Sequence, residues 1–267
     1  MSISLINVSA KDSGGKDSVK ENRQGCLSRM IRLGFELSTE SEKTFETGEK
    51  KFSTGSKSLR IALTKGRLEK DSVALFEKIG LDCTAVREKG RRLILPIGNG
   101  EIEVVLAKAA DVITYVENGV CDLGVVGKDT IMENGSRFFE ILDLGFGRCR
   151  FALAAKKGTD FFTGYKEKTV ASKYPNVSRQ FFESRGMDVR IIKIEGSVEL
   201  APLVGLADGI VDIVETGSTL KENGLEVIET VSEISARLIV NTASLKMRKA
   251  EIETLVAKLE TAIKERE

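Results

Sequence analysis

Short apolar runs alternate with helical segments along most of the chain, and this alternation limits the possible folds more than any other feature. Apolar runs predict strands at residues 59–63, 92–96, 102–107, 122–126, 150–155, 169–172, 189–194, 209–214 and 233–241. Apolar residues at helical spacing predict helices at residues 68–79, 111–118, 175–185 and 246–267, and a further helix before residue 209. Such alternation is typical of parallel sheets covered by helices. The sequence therefore predicts an α/β fold with largely parallel sheet.

The strand at Gly209–Val214 runs directly into a turn of small polar residues. Glycine lets the backbone approach a ligand closely, hydroxyl groups donate hydrogen bonds, and the first N–H groups of a following helix carry partial positive charge. The residues of this turn are Thr216, Gly217, Ser218 and Thr219. They fit a phosphate group, although many strands of α/β proteins end in similar turns. Asp212, in the second half of the strand, can accept hydrogen bonds from the hydroxyls of a phosphorylated sugar.

The charge balance and hydropathy exclude several classes of partner. The 267 residues contain 41 Lys and Arg against 40 Asp and Glu, a formal net charge of +1. Such a balance gives no reason to expect nucleic-acid or membrane-surface binding. No apolar run approaches the roughly 20 residues that span a bilayer, and residues 1–10 lack the basic and apolar regions of a signal peptide. We therefore expect a cytoplasmic protein with no nucleic-acid or membrane partner.

The chain contains no histidine, so a Ser-His-Asp triad, an imidazole base and a histidine-ligated metal are all excluded. The four cysteines are far apart in the sequence and form no CxxC pair, which indicates neither a zinc site nor a disulfide framework. Catalysis must then depend on carboxylates, Lys and Arg, backbone donors or a metal that arrives with the substrate. We expect no metal site built from protein ligands.

Further motifs lie on both sides of the 216–219 turn. The longest runs over residues 195–220, read as EGSVELAPLVGLADGIVDIVETGSTL. The others, in chain order, are Lys65-Gly66-Arg67-Leu68, Arg91-Arg92-Leu93, Asp111-Val112, residues 115–119, residues 122–129, Cys149-Arg150 and Lys173-Tyr174-Pro175. From about residue 59 onward, this order closely resembles the short form of the ATP phosphoribosyltransferase family, which carries out the first step of histidine biosynthesis.

The resemblance implies a displacement reaction between two phosphorylated substrates. The adenine N1 of ATP attacks the anomeric carbon of 5-phosphoribosyl pyrophosphate (PRPP), pyrophosphate leaves, and N1-(5-phosphoribosyl)-ATP forms. Such a reaction passes through an oxocarbenium-like state and needs positioning and charge neutralisation more than a strong base. A chain without histidine can provide both. Mg²⁺ is expected to arrive with the substrates.

The same resemblance suggests roles for particular side chains. Residues 216–219 are expected to bind the 5′-phosphate, and Asp212, the predicted catalytic residue, to hold ribose hydroxyls. Glu195 and Glu199 are candidates to support the ribose or the turn, although Glu199 could instead be a helix-start charge. Five cations are candidates to bind pyrophosphate and the ATP triphosphate, or could be ordinary surface charges: Lys65, Arg67, Arg92, Lys108 and Lys173. The family usually carries arginine at the position of Lys108, and lysine lacks its bidentate fork.

The resemblance also implies the domain organisation, with two α/β lobes similar to those of periplasmic binding proteins, as in type IV phosphoribosyltransferases. The active site is expected in the cleft between the lobes. We place the first lobe at residues 58–148 and 235–267, and the second, with the PRPP-binding signature, at residues 149–234. Residues 1–57 lie outside the resemblance and are rich in Ser, Thr, Gly and Lys, which predicts a disordered extension. Only residues 26–37 show apolar residues at helical spacing there.

The short form of the family implies a partner protein. Such members assemble with a separate regulatory subunit similar to the catalytic core of histidyl-tRNA synthetase, so a hetero-oligomer is expected. Feedback by histidine would then act through that partner.

Two other functions fit part of the sequence. A phosphoribosyltransferase of the common purine or pyrimidine type normally carries two adjacent acids before its phosphate loop, whereas Val211 precedes Asp212 here. A solute receptor shares the two-lobed architecture but is secreted and does not need the 216–219 turn. Formation of product from ATP and PRPP would separate these functions.

Overall fold

The computed structural model describes residues 58–135, 137–164 and 166–265, so the extension predicted at residues 1–57 lies outside the described part. Its strands are β1 (Leu59–Thr64), β2 (Ile94–Ile97), β3 (Ile102–Ala107), β4 (Leu123–Gly127), β5 (Phe138–Asp143), β6 (Cys149–Lys156), β7 (Lys168–Ser172), β8 (Val189–Lys193), β9 (Gly209–Val214), β10 (Leu225–Ile234) and β11 (Ala236–Asn241). Its helices are α1 (Arg67–Lys78), α2 (Thr84–Arg87), α3 (Ala109–Glu117), α4 (Lys128–Asn134), α5 (Pro175–Glu183), α6 (Leu200–Leu203), α7 (Ser218–Glu222), α8 (Thr242–Met247) and α9 (Lys249–Lys264). No helix in these ranges is long and apolar enough to cross a membrane.

The first sheet has the strand order β2-β3-β1-β4-β11-β5. Its centre is β1, which pairs in parallel with both β3 and β4, so that Ile61 lies opposite Val104 on one side and Leu123 on the other. Helix α3 covers one face, where Val112 and Val116 belong to a buried apolar cluster with residues of the sheet. The apolar stripe of α3 therefore accounts for its position.

The second sheet has the strand order β10-β6-β9-β7-β8. Strand β9 lies at its centre, parallel to β7 and antiparallel to β6. Alternate residues of the strands point to opposite faces. Phe151 and Val211 contribute to the buried cluster on one face, and Ala152, Ile210 and Leu220 to the cluster on the other. The sheet is therefore buried on both sides at its centre.

The prediction of largely parallel sheet is wrong. In the described chain, parallel pairing joins β1 to β3 and β4, and β7 to β8 and β9. The other pairs, β2–β3, β4–β11, β5–β11, β6–β9 and β6–β10, are antiparallel. A short connection such as the 3-10 turn at Gly98–Gly100, between β2 and β3, forces the chain to reverse, whereas a parallel pair needs a longer crossover.

Several elements differ from the sequence-based expectation. Strands β5 and β10 were not predicted, the strand expected at residues 233–241 is divided at Ser235, and the helix expected at residues 246–267 is α8 and α9, which meet at Arg248. In β10, the register against β6 shifts between Val227 and Glu229 and again between Thr230 and Ser232. Because each shift breaks the period of two, the alternation that reveals a strand is lost there.

The chain passes between the sheets at residues 144–148 and again at Ser235. These two crossings are hydrogen-bonded to each other, because the backbone N–H of Ala236 donates to the Phe146 carbonyl at 2.9 Å. The Ser235 hydroxyl also donates to the Asp143 carboxylate at 2.9 Å. The strands of the first sheet lie within residues 58–148 and 235–267 and those of the second within 149–234, and we keep these ranges as the proposed lobes.

Asp122 connects the C-terminal helices to the first sheet. Its carboxylate accepts hydrogen bonds from the backbone N–H of Arg60 at 2.9 Å, from the Ser244 hydroxyl at 2.7 Å and from Arg248 Nη1 at 3.1 Å. The Asp122 and Arg248 side chains are only 16% and 17% exposed. The Glu251 carboxylate also accepts from Arg248, at Nε (3.3 Å) and Nη2 (2.5 Å), so removal of Asp122 leaves the Arg248 charge only partly compensated.

We expect Asp122→Ala to lower the free energy of unfolding by about 1–3 kcal/mol, because it removes the acceptor of three hydrogen bonds and one of the two carboxylates that pair with Arg248. Urea denaturation measures this change. Asp188→Ala, at an exposed position, is the matched control and should change stability by less than about 0.5 kcal/mol. Equal stability of the two variants would contradict the role assigned to Asp122.

Candidate active site

Two lysines lie at neighbouring positions on the carboxyl edge of the first sheet. Lys65 follows β1 and Lys108 follows β3, and Thr64 lies directly opposite Ala107. The backbone N–H of Lys65 donates to the Ala107 carbonyl at 2.9 Å. Both lysine side chains are exposed, so this edge presents two positive charges where α/β proteins commonly bind ligands.

Arg92 lies near the same edge, just before β2. The backbone N–H of Leu106 donates to the Leu93 carbonyl at 2.8 Å, which places Arg92 beside the end of β3 and near Lys108. The Arg92 guanidinium donates to the carbonyls of residues 88 and 89 at 3.3 and 3.4 Å. Its contacts in the structure are therefore within its own loop.

The carboxyl edge of the second sheet carries the other predicted residues. Because β7, β8 and β9 are parallel, Lys173 after β7, Glu195 after β8 and the 216–219 turn after β9 lie along one edge. Glu195 is 72% exposed and forms an ion pair with Lys193 at 2.8 Å. This hydrogen-bonded contact with Lys193 lowers the pKa of the Glu195 carboxyl.

The 216–219 turn depends on a glycine with positive φ. Gly217 has φ 79° and ψ 7°, the left-handed conformation that other residues rarely adopt, and it is the N-cap residue of α7. The Thr216 and Ser218 hydroxyl oxygens are 3.0 Å apart, and the backbone N–H of Ser218 donates to the Thr216 hydroxyl at 3.4 Å. The side chains of Thr216, Ser218 and Thr219 are exposed. Hydroxyl and amide donors are thus clustered at the surface.

Asp212 lies within β9, opposite Ala152, and is half-buried. Burial raises the pKa of its carboxyl above the ordinary value of 3.8, and the hydrogen bond from the backbone N–H of Ile213, at 2.8 Å, acts in the opposite direction. The charge of Glu199 raises this pKa further, and the charge of Lys173 lowers it. The structure therefore places Glu199 and Lys173 in the electrostatic environment of Asp212.

Arg67 joins the carboxyl edges of the two sheets. It begins α1, which follows the central strand of the first sheet, and its Nη1 donates to both carboxylate oxygens of Glu215, each at 2.9 Å. Glu215 directly follows β9 and precedes the 216–219 turn. The contact raises the pKa of Arg67. Both side chains are more than half exposed, so the pair contributes about 0–1 kcal/mol to stability, and its main effect is to position Arg67.

A second set of contacts between the sheets lies at the N-terminus of α5. The Glu133 carboxylate, on α4, accepts hydrogen bonds from the backbone N–H groups of Asn176 and Val177 at 3.0 and 3.1 Å. The Tyr174 hydroxyl donates to the Asp129 carboxylate at 3.4 Å. Burial raises the pKa of Tyr174, so its hydroxyl stays protonated at neutral pH. The Glu133 carboxylate, on the side of the first sheet, therefore complements the positive end of α5.

The predicted residues form two groups, one at the carboxyl edge of each sheet. The first contains Lys65, Arg67, Arg92 and Lys108, and the second contains Lys173, Glu195, Asp212 and the 216–219 turn. The Arg67–Glu215 pair joins the groups. Sequence reasoning did not assign Glu215, Asp129 or Tyr174, although all three occur in the motifs described above. No cluster of three or more Cys, Asp or Glu residues suited to a metal was found among the described residues.

The fold belongs to a class found among solute-binding proteins. The periplasmic aliphatic sulphonate binding protein SsuA from Escherichia coli superimposes with a TM-score of 0.51 at 15% identity, over 78% of this chain and 72% of that one. Identity this low shows the fold alone. The protein therefore has the two-lobed α/β architecture of periplasmic binding proteins.

Comparisons at higher identity define the family. The family model described as ATP phosphoribosyltransferase matches residues 108–261. ATP phosphoribosyltransferases from Clostridium kluyveri and Listeria innocua are each 57% identical, over 211 and 209 residues; the matches cover 79% and 78% of this chain and 96% and 98% of those proteins. A solved ATP phosphoribosyltransferase (HisG:HisZ) complex from Thermotoga maritima matches with a TM-score of 0.67 at 35% identity, over 78% of this chain and 98% of that one. The chain belongs to the ATP phosphoribosyltransferase family.

The raised pKa of Asp212 predicts a pH-dependent difference in stability. Because the folded state holds the proton more tightly than the unfolded state, this carboxyl contributes stability below its ordinary pKa of 3.8, and that contribution is lost as the pH rises through the folded pKa. We therefore expect Asp212→Asn, which cannot ionise, to raise the thermal unfolding midpoint at pH 7. The advantage should shrink as the pH falls toward about 4.

Thermal unfolding scans at several pH values test this expectation. Asp188→Asn, at an exposed position on the same lobe, should show no such pH-dependent difference. A lower midpoint of Asp212→Asn at pH 7 would show that the ionised carboxylate is stabilising.

Proposed function

We propose that this protein transfers the 5-phosphoribosyl group of PRPP to N1 of ATP, giving N1-(5-phosphoribosyl)-ATP and pyrophosphate, as the first step of histidine biosynthesis. The observation that carries the proposal is the 216–219 turn, in which Gly217 adopts the left-handed conformation directly after the strand that holds Asp212. Membership of the ATP phosphoribosyltransferase family supports the same conclusion.

The reaction makes one bond and breaks another at the anomeric carbon. Adenine N1 supplies the electron pair for the new bond, and pyrophosphate departs with the electrons of the old one. Positive charge develops on the ribosyl group, and negative charge on the leaving group. We assign Asp212 to the ribose hydroxyls, where its carboxylate both orients the sugar and favours the oxocarbenium-like state.

Phosphate binding is divided between the two edges in our proposal. Residues 216–219 hold the 5′-phosphate through hydroxyl and backbone donors, and Glu195 lies along the same edge, near the sugar. The cations assigned to pyrophosphate and the ATP triphosphate are Lys65, Arg67, Arg92, Lys108 and Lys173. Arg67 must exchange Glu215 for a phosphate oxygen to do so. Mg²⁺ enters as part of the substrates, bound to their phosphate oxygens.

An assay with ATP, PRPP and Mg²⁺ tests this function. Product absorbance should rise with the wild-type protein. Ser218→Ala should raise the KM for PRPP about 10-fold with a smaller effect on the KM for ATP, because it removes one donor to a charged group. Ser184→Ala removes a hydroxyl at the C-cap of α5 and should leave both constants unchanged. Absence of product from the wild-type protein would contradict the proposed reaction.

We also propose a separate regulatory partner. The solved relative from Thermotoga maritima is a HisG:HisZ complex, and the sequence resembles the short form, whose partner is similar to histidyl-tRNA synthetase.

ATP and PRPP are cytosolic metabolites, so we place the enzyme in the cytoplasm.

If feedback acts through that partner, histidine should not inhibit the purified chain. Initial rates measured across a histidine titration are expected to stay constant for the chain alone. Addition of the regulatory subunit should make the rates fall as the histidine concentration rises. Strong inhibition of the chain alone by histidine would contradict the proposal that feedback acts through a separate subunit.

A further inference from the structure

Arg150 lies at the carboxyl edge of the second sheet, but none of the roles above includes it. It is the second residue of β6 and pairs directly with Val214, the last residue of β9. Directly opposed residues of neighbouring strands have side chains on the same face. The Arg150 side chain therefore shares a face of the sheet with Val214 and Asp212. Arg150 lies on the strand next to β9, which the 216–219 turn follows.

The described residues only partly satisfy the hydrogen-bond donors and the positive charge of the Arg150 guanidinium. Its Nε is buried and has no hydrogen-bond partner, and no ion pair joins Arg150 to another described residue, although Glu233 lies opposite it on β10. Arg237 also has a buried, unpaired Nε, but its other nitrogens form ion pairs with Glu140 and Asp143 at 3.3 and 3.0 Å. A shielded guanidinium donor without an acceptor is costly.

We propose that Arg150 binds an anionic phosphoryl oxygen of PRPP beside the 216–219 turn. The proposal rests on the function assigned to this turn and adds a cation to it. Because Nε is shielded from solvent, the planar fork formed by Nη1 and Nη2 would donate to that oxygen, and the β6–β9 register holds Arg150 at the strand edge. Arg150 is thus a binding residue for PRPP, and it contributes from the antiparallel neighbour of the strand that carries Asp212.

Arg150→Gln and Arg150→Lys test the proposal. The Gln variant removes the charge and should raise the KM for PRPP about 10- to 100-fold with little change in the KM for ATP. The Lys variant keeps the charge without the fork and should recover part of the loss. Arg190→Gln is the matched control, because Arg190 is exposed near the opposite end of β8 in the same sheet, and it should leave both constants unchanged.

Thermal unfolding separates binding from a structural role. Without substrate, Arg150→Gln should unfold at the wild-type temperature or above it, because a shielded charge has been removed. Added PRPP should raise its unfolding temperature less than it raises that of the wild type. A less stable variant with an unchanged KM for PRPP would overturn the proposal.

The remaining outcomes are also decisive. If Arg150→Gln does not fold, an Arg150→Lys variant with wild-type affinity for PRPP would overturn the proposal, and a weaker affinity would support it. An inactive wild-type protein would contradict the proposed reaction itself, whereas an active one that is insensitive to changes at Arg150 would contradict this inference alone.

Discussion

The parallel pairing of β9 with β7 is the constraint on which the site depends. Parallel strands end at the same edge, so Lys173 and the 216–219 turn are brought together although more than forty residues separate them. The Ser172 hydroxyl donates to the Val211 carbonyl at 2.6 Å and reinforces this pairing near the edge. A change of register by one residue would turn Asp212 to the opposite face of the sheet.

The strand and turn of the candidate phosphate site could be predicted from the sequence because their determinants are local. Gly217, its flanking hydroxyls and Asp212 lie within eight consecutive residues. One short segment therefore shows the strand, the turn and the hydrogen-bond donors suited to an anion. The apolar character of β9 likewise reflects burial on both faces, which makes a central strand easy to recognise.

Contacts between distant segments could not be predicted in the same way. Arg67 and Glu215 are 148 residues apart, and Asp129 and Tyr174 are 45 apart. Neither pair has a periodic pattern, since each contact depends on how one sheet is placed against the other. Strand β10 was missed for a different reason: it is an edge strand with register shifts, and its acidic residues obscure the alternation of apolar side chains.

The paired crossings at residues 144–148 and Ser235 limit how the two sheets can move relative to each other. Because the crossings are hydrogen-bonded to each other, a short two-stranded connection joins the two sheets in place of two independent linkers. A movement that separates the carboxyl edges of the two sheets would have to break the contact between Arg67 and Glu215. The exposed surroundings of that pair make its separation cost little, whereas the Glu133 and Tyr174 contacts tie α5 to the side of the first sheet and restrict where the two sheets can move apart.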